Sequence, residues 1–105
     1  DSAGEDGDFD RKVTLLEEVD SYLPRLLEQK PDVVVVTGDH STPSIMRSHS
    51  WHPVPTLIHS AFSLADGAKH FSERGCQLGS LGIIPSSALM SFVLAHAERL
   101  EKFGA

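Results

Sequence analysis

Asp32–Val–Val–Val–Val–Thr–Gly–Asp–His–Ser–Thr–Pro43 is the stretch on which the fold of this chain turns. Val33 to Val36 are four consecutive β-branched residues without polar alternation. Such a run predicts a strand covered on both faces, as in a parallel sheet between helices. Thr37–Gly38 ends the run, and glycine there lets the backbone turn so that Asp39 and His40 point at one spot. In open α/β sheets, ligands bind beyond the carboxyl ends of strands, which is where this pair falls. A carboxylate beside an imidazole is costly to bury unpaired, and a divalent cation is its natural partner. Read alone, the dipeptide is equally a capping Asp next to a solvated His. Its place after the valine run points to a metal or catalytic role.

Upstream, Phe9 to about Lys30 reads as a helix. Val13, Leu16, Val19, Leu23, Leu26 and Leu27 recur at three- and four-residue steps, with Lys12, Glu17, Glu18, Arg25 and Glu28 opposite. Pro24 predicts a kink or a restart near Ser21–Leu23. The first eight residues, Asp1–Ser–Ala–Gly–Glu–Asp–Gly–Asp8, have the composition of a flexible acidic tail. They read equally as the start of a domain segment whose preceding strand lies before Asp1.

Downstream, a helical turn is expected from Pro43 or Ser44, and Thr56–Leu57–Ile58–His59 as a short strand. Ser60 to Ser80 reads mostly as loop, with a short helix near Gly67–Arg74. A final helix capped by Ser86 or Ser87 is expected to about Lys102, with Leu89, Phe92, Val93, Ala97, Leu100 and Phe103 as its apolar stripe. There are no internal repeats and no linker.

The chain has 105 residues, 15 acidic against 9 basic, for a formal charge of −6. No basic patch of the kind that binds nucleic acid is visible. No apolar run approaches a membrane span, and no signal-peptide pattern opens the chain. A single cysteine, Cys76, makes no internal disulfide, which points to a reducing, cytoplasmic setting. Two strands and two long helices cannot cover both faces of a parallel sheet. The chain therefore reads as part of a larger α/β domain, with an exposed apolar surface available to the rest of the polypeptide or to self-association.

Several segments together resemble the cofactor-independent phosphoglycerate mutases of archaeal type, within the alkaline phosphatase superfamily. They are Asp1–Ser–Ala–Gly–Glu–Asp–Gly–Asp–Phe9, Thr37–Gly–Asp–His–Ser–Thr–Pro43, Ser48–His–Ser–Trp–His–Pro–Val–Pro55, and Gly75–Cys76 with Gly79–Ser–Leu–Gly82. The likeness covers nearly all of the chain but only the C-terminal part of such an enzyme, residues 1–105 forming that part of a metal-dependent catalytic domain. It implies a partial three-layer α/β/α sandwich with a mostly parallel sheet. It also implies an isomerase of glycerate phosphates that passes phosphate through a serine at two divalent metal ions, Mn²⁺ or Mg²⁺ with Zn²⁺ possible. By position, Asp39 and His40 resemble two ligands of one metal, and His49 and Asp1 ligands of the other. Glu5 stands where the family usually has His, and a carboxylate can bind Mn²⁺ or Mg²⁺.

The resemblance places the serine nucleophile in an N-terminal segment outside this chain, so the chain alone is expected to be inactive. The implied partners are a phosphorylated glycerate and the remainder of the parent polypeptide. The rival readings are a phosphate or phosphonate ester hydrolase of the same superfamily and a non-catalytic metal-binding module. His52 and His59 are secondary candidates for the site. His70 and His96 read as surface or satisfied core residues, Trp51 as core packing, and Cys76 as structural. Ser41 and Thr42 read as caps of the following turn.

Overall fold

A computed structural model describes residues 1–100; Lys102 and Phe103, expected in the last helix, lie outside the described residues. The chain forms two compact units: Asp1–Pro31 with Asp39–Val54, and Asp32–Gly38 with Pro55 onward.

The first unit opens with a short helix, α1 (Ser2–Glu5), and a long one, α2 (Phe9–Leu27). The acidic opening is thus not a solvated tail: Ala3 and Gly4 are buried. Glycine is required at position 4, because a Cβ there would stand 2.6 Å from the Thr42 carbonyl oxygen and 2.9 Å from its Cγ2. The close approach of α1 to Thr42 depends on that missing side chain. Asp8 caps α2, its Oδ1 accepting the Arg11 N–H at 2.9 Å. The helix runs through Pro24 without the expected restart. Proline removes only its own N–H, and the Glu28 N–H still reaches the Pro24 carbonyl at 3.0 Å. Lys30, in the left-handed region at φ 51°, ends it. No residue of α2 is buried, and Leu16, Val19 and Leu26 of its apolar stripe are exposed.

A turn beginning at Pro43 follows, as expected, with the Met46 and Arg47 N–H groups donating to the Pro43 carbonyl at 2.9 and 3.1 Å. The Ser50 N–H donates to the Ser41 carbonyl at 2.8 Å in an isolated antiparallel bridge. That bridge closes the loop and brings residues 40–42 back beside residue 49.

The second unit holds β1 (Val33–Val36) and β2 (Leu57–Ser60), paired antiparallel with Val33 opposite Ser60 and Val36 opposite Leu57. The valine run predicts a parallel sheet; the one strand pairing among the described residues is antiparallel. A parallel pair needs a crossover element, usually a helix. Between these strands the chain holds only a single turn and extended segments, so β2 returns beside β1 in the opposite sense. The α/β content stands, with a two-stranded sheet.

Helix α3 (Glu73–Cys76) is capped by Ser72, whose hydroxyl accepts the Gly75 N–H at 3.1 Å. It sits a few residues beyond the expected position. A 3₁₀ turn (Ser86–Ala88) leads into α4 (Leu89–His96), preceded by Pro85 rather than capped by a serine hydroxyl. The helix stops at His96, short of the expected Lys102, and Glu98 just beyond it takes a left-handed φ of 55°. Helix α4 packs on both strands, with Leu89, Phe92, Val93 and Ala97 half-buried. His96 Nδ1 lies 3.2 Å from the hydroxyls of both Ser60 and Ser63, fastening α4 to the end of β2.

Among the described residues, only Ala3 and Val34 are buried apolar side chains. Large apolar groups stand exposed in both units, including Phe9 and Tyr22 in one and Phe62 and Ile83 in the other. No helix of the described residues is long and apolar enough to cross a membrane.

Candidate metal centre

Every polar group of interest in the first unit converges where α1 meets the loop after β1. Asp1 is the N-cap residue of α1 and Glu5 its last residue. Four positions apart, they lie one helical turn from each other on the same side. The Gly4 and Glu5 N–H groups both donate to the Asp1 carbonyl, at 2.7 and 3.0 Å, which fixes that turn.

Asp39 and His40 follow β1 after Thr37 and Gly38. Among the described residues the glycines with positive φ are Gly7 and Gly82, so Gly38 makes this turn without entering the left-handed region. The His40 N–H donates to Asp39 Oδ1 at 3.0 Å, and His40 Nε2 stands 3.5 Å from Asp39 Oδ2. The two side chains therefore converge. The backbone N–H of Asp39 itself, then the charge of His40, hold the exposed Asp39 carboxyl below the usual range.

The bridge between Ser41 and Ser50 delivers His49 to the same place. The His40 and His49 rings meet edge-on, with centroids 4.2 Å apart and planes at 70°. His40 Nε2 is 3.6 Å from Asp1 Oδ1, and His49 Nε2 is 3.5 Å from Glu5 Oε1. Ligand atoms from Asp1, His40 and His49 all lie within 4.8 Å of one another. Asp1 is thus close to His40 as well as within reach of His49, whereas the sequence resemblance groups it with His49 alone.

The candidate donors are three carboxylates and two imidazoles, of which Asp1, His40 and His49 form the compact group; such an oxygen-and-nitrogen set suits Mn²⁺, Mg²⁺ or Zn²⁺. Two donors bound to one ion at about 2.1 Å are separated by roughly 3.0 Å at a right angle and 3.4 Å at a tetrahedral one. Separations of 3.5 and 3.6 Å need little adjustment to meet that condition.

The residue that sequence reasoning missed is Thr42. Its hydroxyl caps no turn. It lies 3.1 Å from Asp1 Oδ1, 3.2 Å from His40 Nδ1 and 3.1 Å from His49 Nδ1. The residue is only 7% exposed. Its carbonyl accepts the Lys12 ammonium at 2.6 Å, which ties α2 to the same loop. The only signal in the sequence is its position two residues after His40, indistinguishable there from a cap.

Among the described residues, the compact ligand group includes none of the other histidines. His52 bonds Ser50 Oγ at 2.9 Å and stacks under Trp51, with centroids 4.9 Å apart. Trp51 itself is 83% exposed and does not pack into a core. His59 is exposed on β2, and exposed His70 lines a shallow cavity with Lys69 and Arg74. Cys76 is free and half-buried.

Residues 1–96 match the family model described as metalloenzyme superfamily. Along all 105 residues the chain is 54% identical to a probable 2,3-bisphosphoglycerate-independent phosphoglycerate mutase of Aquifex aeolicus. It is 54% identical to one of Thermotoga neapolitana and 50% identical to one of Thermus thermophilus. In each case it spans 26% of the relative's length, about a quarter. A solved structure of a Pyrococcus horikoshii protein superimposes on 99% of the chain with a TM-score of 0.89 at 36% identity, and 32% of that protein is covered.

Proposed function

The chain belongs to the metalloenzyme superfamily, and from that premise we propose that it is the C-terminal part of a 2,3-bisphosphoglycerate-independent phosphoglycerate mutase. The parent interconverts 3-phosphoglycerate and 2-phosphoglycerate. The observation that carries the reading is the convergence of Asp1, Glu5, Asp39, His40 and His49 on one patch of the first unit. The named relatives support it from a separate direction.

In this proposal the five residues would hold two divalent ions, Mn²⁺, Mg²⁺ or Zn²⁺. Asp39 and His40 would serve one position and Glu5 and His49 the other, with Asp1 within reach of both histidines. Bound there, such ions supply charge to neutralise phosphate oxygens and to activate a hydroxyl. The chain's own part is to hold the donors in place. The nucleophilic serine belongs to the rest of the parent in a cytoplasmic, glycolytic enzyme. The remaining strands of a three-layer sandwich belong there too, and the exposed apolar faces are the surfaces against which that remainder packs.

The test is turnover by the full-length parent, with 3-phosphoglycerate as substrate and 2-phosphoglycerate read by a coupled enolase assay. Activity that chelation abolishes and Mn²⁺ restores, and that His40→Ala reduces by at least about a hundredfold, is the expected result. Release of inorganic phosphate without 2-phosphoglycerate would make the parent a hydrolase. Metal binding without turnover of any phosphate ester would make it a binding module.

A further inference from the structure

We infer that Thr42 is the positioning residue of this centre, its one hydroxyl setting the orientation and tautomer of both histidines at once. The inference rests on reading the cluster as a metal centre. A threonine hydroxyl has one proton to donate and two lone pairs to accept with. Three partners surround Thr42 Oγ1: it donates to Asp1 Oδ1 at 3.1 Å, and ring nitrogens of His40 and His49 lie at 3.2 and 3.1 Å. With its proton given to the carboxylate, the oxygen can only accept from the two rings. Both rings therefore carry their proton on Nδ1.

The distances on the far side of each ring agree. His40 Nε2 stands 3.6 and 3.5 Å from the nearest oxygens of Asp1 and Asp39, and His49 Nε2 stands 3.5 Å from Glu5. Those separations are long for an N–H···O bond, which has its mode near 2.9–3.0 Å. They suit instead a free Nε2 lone pair and a carboxylate oxygen turned toward a common cation. Metal-bound histidines ordinarily have their second nitrogen held by a carboxylate or a carbonyl. Here a single buried hydroxyl does this for two rings, and is itself anchored through the Thr42 carbonyl by Lys12 at 2.6 Å. The methyl group packs against Gly4, where no side chain fits.

The experiment compares the full-length wild type with Thr42→Val, which keeps the shape and removes the hydroxyl, and Thr42→Ser, which keeps the hydroxyl. Two-bond ¹⁵N–¹H correlations of the imidazole rings, in metal-free protein above the usual imidazole pKa of about 6.5, report the tautomers without any activity measurement. Both rings of the wild type are expected as Nδ1–H, with the Val variant shifting toward Nε2–H. Mn²⁺ affinity is expected to fall about ten- to a hundredfold in Thr42→Val and to return to within about threefold of wild type in Thr42→Ser. A wild-type His40 or His49 protonated on Nε2 overturns the inference, and that measurement does not depend on any variant folding. Unchanged tautomers and affinity in the Val variant overturn it too, leaving the metal reading intact. A wild type with no affinity for Mn²⁺ overturns the metal reading and this inference together.

Discussion

Replacing Gly4 by alanine is the sharpest single perturbation of the centre, because it inserts one methyl group where α1 rests on Thr42. The new Cβ would lie 2.6 Å from the Thr42 carbonyl oxygen, whereas ordinary contact begins at 3.4 Å. Relief requires α1 and Thr42 to separate by about 0.8 Å, since the obstacle is backbone and cannot rotate away. Passed along the same direction, that shift lengthens the 3.1 Å contact between the Thr42 hydroxyl and Asp1 to about 3.9 Å, beyond hydrogen bonding. It also moves Asp1 and Glu5 away from the two histidines. Overpacking costs roughly 1–3 kcal/mol, and alanine returns about 1 kcal/mol in helix propensity. Stability of the full-length parent should thus fall by at most about 2 kcal/mol. Metal binding suffers more, because ligand distances must hold to within about 0.2 Å. Mn²⁺ affinity should drop about ten- to a hundredfold, a disproportion that a general loss of stability would not produce. Calorimetric titration with Mn²⁺, beside thermal unfolding in excess chelator, measures both quantities. Gly67→Ala is the control, since a Cβ there meets nothing within 4 Å. Wild-type affinity in Gly4→Ala would refute the argument that α1 and Thr42 position the ligands.

Other outcomes follow from the same geometry. Glu5→Gln should lower Mn²⁺ affinity and mutase rate of the full-length parent by about ten- to a hundredfold, while Glu5→His retains activity; an unaffected Gln variant would leave Glu5 as a solvated acid. The Asp66 carboxylate accepts the N–H groups of Ser80 and Ala68 at 2.9 Å each, and those bonds, Ser80 first, hold its pKa below the ordinary value. With the folded pKa depressed, this loop clasp contributes fully above the ordinary Asp pKa of about 3.9 and is lost as pH falls through the lower folded value. A ¹³C titration of the Asp66 carboxyl group that gives an ordinary midpoint would contradict the clasp. Leu16→Glu on the exposed face of α2 should leave this chain by itself little changed but lower the unfolding temperature of the full-length parent, since a buried charge is costly. Equal unfolding temperatures would show that this face is not covered in the parent.

Helix α2, strand β1 and strand β2 were legible because their signals are local. A three-to-four-residue apolar period, four valines, and a short run after Pro55 each specify backbone geometry within a few residues. Strand direction was not legible, because composition calls for burial of Val33–Val36 without naming a partner, and of the four only Val34 is buried among the described residues. The partner it finds among the described residues is the next strand along the chain. The order of Asp1–Asp8 was hidden for a related reason. Its composition is that of a solvated tail, and what orders it is the space at Gly4 against a residue thirty-eight positions away. Candidate ligands could be named because aspartate and histidine declare their chemistry by type. Thr42 declares nothing, and its partners exist only once the bridge between Ser41 and Ser50 has closed the loop.

The construction of the first unit bears on how the proposed centre would behave. Ala3 is its one buried apolar side chain among the described residues, and α2 buries none. What joins α1, α2 and the loop is a set of polar contacts: Thr42 to Asp1 and both histidines, Lys12 to Thr42, Ser50 to Ser41, and Asp8 to Ala3. Hydrogen bonds contribute about 1 kcal/mol each net, whereas ordering a residue costs about 1–2 kcal/mol, so these bonds alone do not hold the loop rigid. Three carboxylates gathered at one patch add mutual repulsion. On the proposed reading a divalent ion would offset that repulsion by binding the closed arrangement, contributing about 2.7 kcal/mol at a hundredfold excess over its dissociation constant. On the same reading, packing by the rest of the parent against the exposed face of α2 would supply the apolar burial that the unit lacks. On the proposed reading, order in the loop is therefore linked to metal occupancy. Amide exchange at Ser50, whose N–H closes the loop, should accelerate in the full-length protein when metal is chelated and slow when it is restored. Exchange indifferent to chelation would mean that the remainder of the polypeptide alone fixes the loop, and that the ligands are assembled before the ion arrives.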